Sequence, residues 1–456
     1  MGHKQRNKIA ATWANKHRLI PLFIVLALLT FLTLKIVFHS SGSNNIFFLY
    51  GISVTSILTL TFIVALTKYK DPYQSASLME IKWQNPLVSC IVAVFNEETA
   101  IDECVISMTN QTYANKEVII VNDCSTDGTA DILDELAKKY DIKVIHLKRN
   151  VGKKAALTDG VYRSEGTIYA FTDSDSKWES NAVERIVKIF EAYPEVGAVS
   201  GHTRVTNADA NFLTKVQDVW YQGQYGIRKA YESVFSSVSC VSGPLAVFRK
   251  EAVYNFMPAW EKDTFLGQPF RFATDRTLTG IVLGSKYIGK KLIAKYPDEK
   301  FQSTIYPTQE WRVVYSQSAL AWTIVPDTFK RVMKQQVRWK KSFIRNIFYT
   351  GGFYWRRPFP VALVYYMHVA FVLLGPFVAF RHMIYLPIHG NLYSMFLYLA
   401  GISFVGFMFG LAFKLENPDS HHWIYRPAMS LLSTLILSWL IFYSAATIKQ
   451  MKWSRD

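Results

Sequence analysis

Five apolar blocks limit what this chain can become: Leu19–Phe38, Ile46–Thr67, Phe359–Phe380, Tyr393–Phe413 and Ala428–Thr447. Each is close to the roughly 20 residues that an α-helix needs to cross a bilayer. Between the second and third lies a stretch, 86–306, with the composition of an ordinary soluble α/β domain. The expectation is an integral membrane protein with one large domain outside the bilayer. Two helices over 19–67 precede the domain and two over 359–413 follow it. The first block has no small-residue cleavage site, so it is expected to be an anchor and not a signal peptide.

The formal net charge is +16. Such a balance suits nucleic acid, anionic lipid or an acidic ligand, and the position of the charges decides among them. Lys4, Arg6, Lys8, Lys16 and Arg18 precede the first block with no acid among them, whereas 39–45 carries no Lys or Arg. The positive-inside rule then places 1–18 in the cytoplasm, and with it the domain after the second span. Multiple passes through the plasma (cell) membrane are expected, with lipid and not nucleic acid as the basic surface's partner. Cys90, Cys104, Cys124 and Cys240 form no CxxC pair. Reduced thiols without zinc are expected.

Within the domain, apolar strand-like runs alternate with helical patterns. Runs at 87–95, 117–121, 143–147, 167–172 and 197–200 read as strands, and 129–140, 154–163 and 179–193 as helices. This alternation predicts a mainly parallel sheet covered on both faces. Ligands of such sheets bind beyond the C-terminal strand ends. Asp123, Asp173 and Asp175 all fall there.

Asp173-Ser174-Asp175 ends a strand, and two carboxylates so spaced can share a hard cation such as Mg²⁺ or Mn²⁺, which takes oxygen ligands and leaves room for substrate phosphates. The same residues could instead cap the next helix, with Asp175 or Ser176 as the cap. Asp123 could accept the imino proton of a uracil base, or serve only the turn chemistry of Asp-Cys-Ser-Thr-Asp-Gly. Lys153 follows Asn-Val-Gly and opens a helix, an arrangement suited to phosphate, or it is a surface lysine.

Four segments in fixed order, VAVFNEE, VNDCSTDGT, NVGKKAAL and FTDSDS, resemble the family 2 glycosyltransferases. The resemblance covers roughly 88–348 and implies a GT-A (Rossmann-like) α/β fold inserted between transmembrane helices. It implies that Asp123 and Lys153 contact a UDP moiety, and that Asp173 and Asp175 handle the diphosphate and metal. Three further segments look like the hyaluronan synthases: CVSGPL from Cys240, FATDRTLT from Phe272, and QQVRWKKS from Gln335. They are similar also to chitin-oligosaccharide synthases and, more distantly, cellulose synthases. Inverting transfer needs a carboxylate to take the acceptor's proton, and Asp275 is the expected base; it could also cap the helix expected over 276–283. Thr274 departs from the second acid usual in the family. The resemblance places Cys240, Ser242, Gly243, Pro244 and Arg276 beside the acceptor or donor. Gln335 and Arg338 would bond the diphosphate or acceptor, and Trp339 would stack on a pyranose ring. An interfacial Trp/Arg belt is the plain alternative for this motif.

Segment 307–350 is basic and aromatic, and amphipathic interfacial helices are expected over it. A fifth crossing at the last apolar block would carry Lys449, Lys452 and Arg455 outward, against the charge rule. An interfacial or re-entrant segment over 428–456 is expected instead, ending in a cytoplasmic gating loop. Lys452-Trp453-Ser454-Arg455 resembles such a loop, departing at Ser454 and one residue short, and makes Trp453 and Arg455 substrate contacts. The whole pattern points to a processive, inverting membrane transferase. It would polymerise UDP-GlcNAc and UDP-GlcA into hyaluronan and pass the growing polysaccharide outward. A homopolymeric β-GlcNAc synthase, a polyprenyl-phosphate sugar transferase and a non-enzymatic basic membrane protein are the alternatives.

Overall fold

The computed structural model describes residues 19–37, 45–80 and 84–450. In chain order it opens with two apolar helices, α1 (Leu19–Val37) and α2 (Asn45–Thr67). The domain that follows contains β1 (Val88–Val94), α3 (Ile101–Thr109), β2 (Lys116–Asn122), α4 (Thr129–Lys139), β3 (Lys143–His146), α5 (Lys153–Tyr162), β4 (Ile168–Thr172), β5 (Ser176–Trp178), α6 (Ala182–Ala192) and β6 (Val196–Val205). Then come α7 (Phe212–Gln222), β7 (Ala246–Arg249), the short pair β8 (Thr264–Phe265) and β9 (Gln268–Pro269), α8 (Thr274–Lys295), β10 (Arg312–Thr323) and α9 (Phe329–Tyr349). The chain closes with α10 (Phe359–Phe380), α11 (Leu392–Glu416), α12 (Arg426–Leu435) and α13 (Leu440–Ala446).

These elements form two compact units. One holds the described residues up to Tyr69, with Asp209–Tyr231 and Leu363–Ile441; the other holds the described residues of Lys70–Ala208, Glu232–Ala362 and 442–450.

The first unit is helical. Stretches 19–37, 45–76, 359–388, 392–416 and 422–446 are each long and apolar enough to cross a membrane, and the chain is a membrane protein. Two of its helices are joined by Lys35, whose Nζ donates to Thr55 Oγ1 at 2.8 Å and to the Gly51 carbonyl at 3.2 Å. The last stretch is not one rod. Its helix stops at Ile436 (φ −116°, ψ −61°) and restarts as a short 3₁₀ turn before α13.

The second unit is built on an eight-stranded sheet in the order β3-β2-β1-β4-β7-β6-β10-β5. β1 is buried along its whole length, as a central strand covered on both faces must be. Val88, Val92, Ile120, Ala170, Ile186, Phe190, Val199 and Val247 share one core. Each of the valine, isoleucine and phenylalanine side chains among them contributes about 1.5–3 kcal/mol on burial.

Strands β1, β2, β3 and β4 fall where alternation placed them, and run parallel. The sheet is mixed, however. β7 runs antiparallel to both β4 and β6, and β5 antiparallel to β10. Residues 312–323, expected within amphipathic helices, are instead a strand paired with β6. Val313, Val314, Tyr315 and Trp322 are β-branched or aromatic and suit a pleated, half-buried surface better than a helix face. A register shift between Tyr315 and Leu320 accommodates Ser316, Gln317 and Ser318. The segment before the sheet is more than a linker. Asp71 caps a short helix, Pro72–Ala76, and its carboxylate accepts from Ser316 Oγ (2.9 Å), Ser318 N (2.7 Å) and Ser318 Oγ (2.7 Å).

Candidate active site

Pairing of β1 with both β2 and β4 aligns Val94 with Asn122 and Val92 with Thr172. Asp123 and Asp173 therefore leave the sheet at the same edge. The Asp123 carboxylate accepts from Val151 N at 2.7 Å and Gly152 N at 2.8 Å. Burial raises its pKa, against the pull of those two bonds and of Arg271. Asp123 thus shapes the loop before α5. Gly152 there has φ +90°, a conformation that favours glycine.

Lys153 is the first residue of α5, and its Nζ forms an ion pair with Asp173 Oδ1. Burial lowers its pKa, but the carboxylates of Asp173, Asp175 and Asp275 more than offset this, and the ammonium is held above its ordinary value. Asp175 is pushed up to about 6 by burial and by the neighbouring charge of Asp173, with Lys153 opposing. Neither Asp175 nor Ser176 caps a helix: Ser176 begins β5, and α6 starts at Ala182.

The 240–245 loop closes over this edge. Gly243 lies so near Asp173 that a Cβ on it would sit 2.5 Å from Oδ2. The Pro244 carbonyl accepts from Thr172 Oγ1 at 3.0 Å and from Trp178 Nε1 at 2.7 Å, and Ser242 N donates to Ser200 Oγ at 3.4 Å. Cys240 Sγ reaches Asp275 Oδ2 at 3.3 Å. Val241 N donates to Thr279 Oγ1 at 2.9 Å, which ties the loop to α8.

Asp275 lies in the first turn of α8, a helix much longer than the one expected over 276–283. The cap position belongs to Ala273, in the left-handed region at φ +60°. Asp275 Oδ1 accepts from Arg276 N at 2.8 Å, leaving Oδ2 toward Cys240. Arg276 is half-buried beside it.

Gln335, Arg338 and Trp339 lie on α9, which is capped by the Thr328 side chain. Arg338 and Trp339 are half-buried, and Gln336 is buried. Asp327 pairs with Arg331 at 3.4 Å and serves the helix start. The chain after α13 returns to α9, where Lys341 Nζ donates to the Gln450 carbonyl at 2.8 Å. Ile448 packs with Phe270, Phe272 and Ala273 ahead of Asp275. Trp453 and Arg455 lie outside the described residues.

The structure so brings Asp123, Lys153, Asp173, Asp175, Cys240, Gly243 and Asp275 to one sheet edge. It adds three residues that sequence reasoning passed over: Lys154, Asp263 and Arg345. Lys154 Nζ meets Asp263 Oδ2 at 3.0 Å, and Arg345 Nη2 bonds Oδ1 of the same carboxylate. Only the repeated lysine at 153–154 hinted at the first, and nothing in sequence marks its partners.

Residues 89–256 match the model of glycosyl transferase family 2. The chain carries a family 2 glycosyltransferase domain. Within that family it is hyaluronan synthase-like. It is 26% identical over 423 residues to a hyaluronan synthase of Streptococcus pyogenes, covering 89% of this chain and 92% of that one. It is 30% identical over 265 residues to an N-acetylglucosaminyltransferase of Azorhizobium caulinodans, covering 57% and 60%. In fold, this glycosyltransferase is similar to the mannosyltransferase PcManGT of Pyrobaculum calidifontis, solved with GDP-Man and Mn²⁺. The TM-score is 0.52 at 19% identity, over 88% of this chain and 98% of that one.

Proposed function

We propose that this glycosyltransferase polymerises UDP-sugars processively with inversion, making hyaluronan from UDP-GlcNAc and UDP-GlcA. The observation that carries the mechanism is the separation of duties around one edge. Lys153 pairs with Asp173 and lies in the field of Asp175, while Asp275 stands apart, accepting from Cys240 Sγ through Oδ2 and from Arg276 N through Oδ1. The acceptor hydroxyl oxygen attacks the anomeric carbon of the donor as the bond from that carbon to the diphosphate oxygen breaks. Asp275 takes the hydroxyl proton, and UDP departs with the bonding electron pair. Lys153 and the amino end of α5 face the developing negative charge.

Two carboxylates beside a single lysine carry a net negative charge, and the raised Asp175 pKa marks a place that gains from a cation. Asp173 and Asp175 fit a divalent ion, Mg²⁺ or Mn²⁺, completed by substrate oxygens. When bound, it neutralises charge on the diphosphate. Asp123 and its loop would receive the uracil. Arg338, Gln335 and Trp339 would hold the acceptor end, with Trp453 and Arg455 closing over the donor. The catalytic domain would face the cytoplasm, and the polysaccharide would leave through the apolar helices.

The likeness to the N-acetylglucosaminyltransferase supports a second reading, a homopolymer of β-linked GlcNAc. Purified protein incubated with each UDP-sugar, alone and in pairs, then digested with linkage-specific enzymes, separates the two. Polymer that requires both UDP-GlcNAc and UDP-GlcA supports hyaluronan; polymer from UDP-GlcNAc alone replaces it with the homopolymer.

A further inference from the structure

Asp263 sits just ahead of the β8–β9 pair, on the path that leads to Asp275. Its carboxylate is 5% exposed and is shared between two equally buried cations. One is Lys154, whose Nζ also donates to the Phe270 carbonyl at 2.9 Å. The other is Arg345. Phe270 N in turn donates to the Asp263 carbonyl at 2.8 Å, so the pair of strands is closed at its base. Burial holds the Lys154 pKa below its ordinary value, as expected where two cations share one anion.

The two arms lead to different places. Lys154 is the neighbour of Lys153 in the first turn of α5, so fixing it sets the rotation of the turn that aims Lys153 at Asp173. Arg345 lies seven residues after Arg338 on α9. Residues so spaced, with Gln335 and Ser342, share one helical face. Anchoring Arg345 therefore fixes the face that carries Gln335 and Arg338. A cavity of about 160 Å³ flanks this second arm, lined in part by Asp263, Thr277, Arg345 and Tyr349. Arg345 Nε, Tyr349 Oη and Thr277 Oγ1 are buried and make no hydrogen bond among the described residues. The Arg345 arm thus has room on one side, and it is held by Asp263 and by the Tyr349 ring, whose centre lies 4.2 Å from its guanidinium.

We infer that Asp263 is a positioning residue for both substrates of the transfer. Through Oδ2 and Lys154 it sets the donor end, and through Oδ1 and Arg345 it sets the helix that retains the growing product. The inference rests on the transferase reading above.

Charge balance supplies a clean test. The cluster holds two cations and one anion, so removing either cation leaves a balanced buried pair, not an orphaned charge. Arg345→Met and Lys154→Met are each expected to keep the thermal midpoint within about 3 °C of the parent. Arg345→Met is expected to shorten the product about tenfold, because retention is an off-rate property, with the donor KM within about twofold. Lys154→Met is expected to raise the donor KM about fivefold, with product length at saturating donor unchanged. Arg345→Lys, which keeps the charge but loses the fork, is expected to shorten the product less than Arg345→Met, and it decides the second arm if the methionine variant unfolds. Wild-type product length in both Arg345 variants, or equal effects of the two arms on KM and length, would overturn the inference. Failure of the parent to release UDP from any UDP-sugar would instead remove the transferase reading, and this inference with it.

Discussion

Asp275 is the side chain on which the proposed chemistry turns, and its surroundings make two substitutions informative. Asp275→Asn keeps the shape and the bond from Arg276 N but cannot take a proton. Polymer formation is expected to fall at least about a hundredfold, the usual worth of a positioned base, with UDP binding retained by calorimetry. Polymer synthesis at the parent rate would exclude Asp275 as the base. Gly243→Ala tests the other side of the site. Its added methyl would lie 2.5 Å from Asp173 Oδ2, so the carboxylate must move away from Lys153. Turnover is expected to drop about tenfold or more, since a displacement of about 1 Å at a reacting centre is costly. The thermal midpoint is expected to stay near that of the parent, because the strain falls on one side chain. Asp123, Asp173 and Asp175 were visible in sequence because they follow apolar strand runs, and Asp275 only through the family resemblance of its segment. Asp263 was not, because its partners stand 109 and 82 residues away and only the fold joins them.

At the scale of elements, the sequence was most legible where one strand's pattern suffices. β1, β2 and β4 are short apolar runs ending in polar residues, and the structure moves their ends by a residue or so. β10 was hidden by Ser316, Gln317 and Ser318, which break the alternation. What makes them tolerable is the Asp71 carboxylate, some 245 residues earlier. The antiparallel entry of β7 was equally out of reach, since strand order depends on which edges meet. Asp71→Ala would remove an acceptor that serves Tyr73 N, Ser316 and Ser318 together. A destabilisation on the order of 3 kcal/mol is expected, as bonds to a charged acceptor are worth about 1.5–3 kcal/mol each and add incompletely. Chemical denaturation checks it; a change below about 0.5 kcal/mol would mean that the loop finds other partners.

Over the whole molecule, the number of membrane crossings depends on the last apolar stretch. α12 and α13 have 10 and 7 residues, about 15 and 10 Å of helix, against a hydrocarbon core of about 30 Å. Separately, neither piece spans. A protease-sensitive tag at the C-terminus is expected to be cleaved from the side that exposes the catalytic domain in sealed vesicles. Protection until the vesicles are opened would establish a fifth crossing. One feature of the site also bears on how the protein is made. Its residues are drawn from Asp123 to Arg345, with close partners separated by up to 109 residues. Pairings of that separation close large loops and form late. Synthesis at about 5–20 residues per second adds more than ten seconds between Asp123 and α9. A nascent chain can therefore hold carboxylates and lysine at its first strand ends well before the helix that anchors Arg345 exists. Maturation of this protein is expected to require the docking of α9, with no transfer before that step.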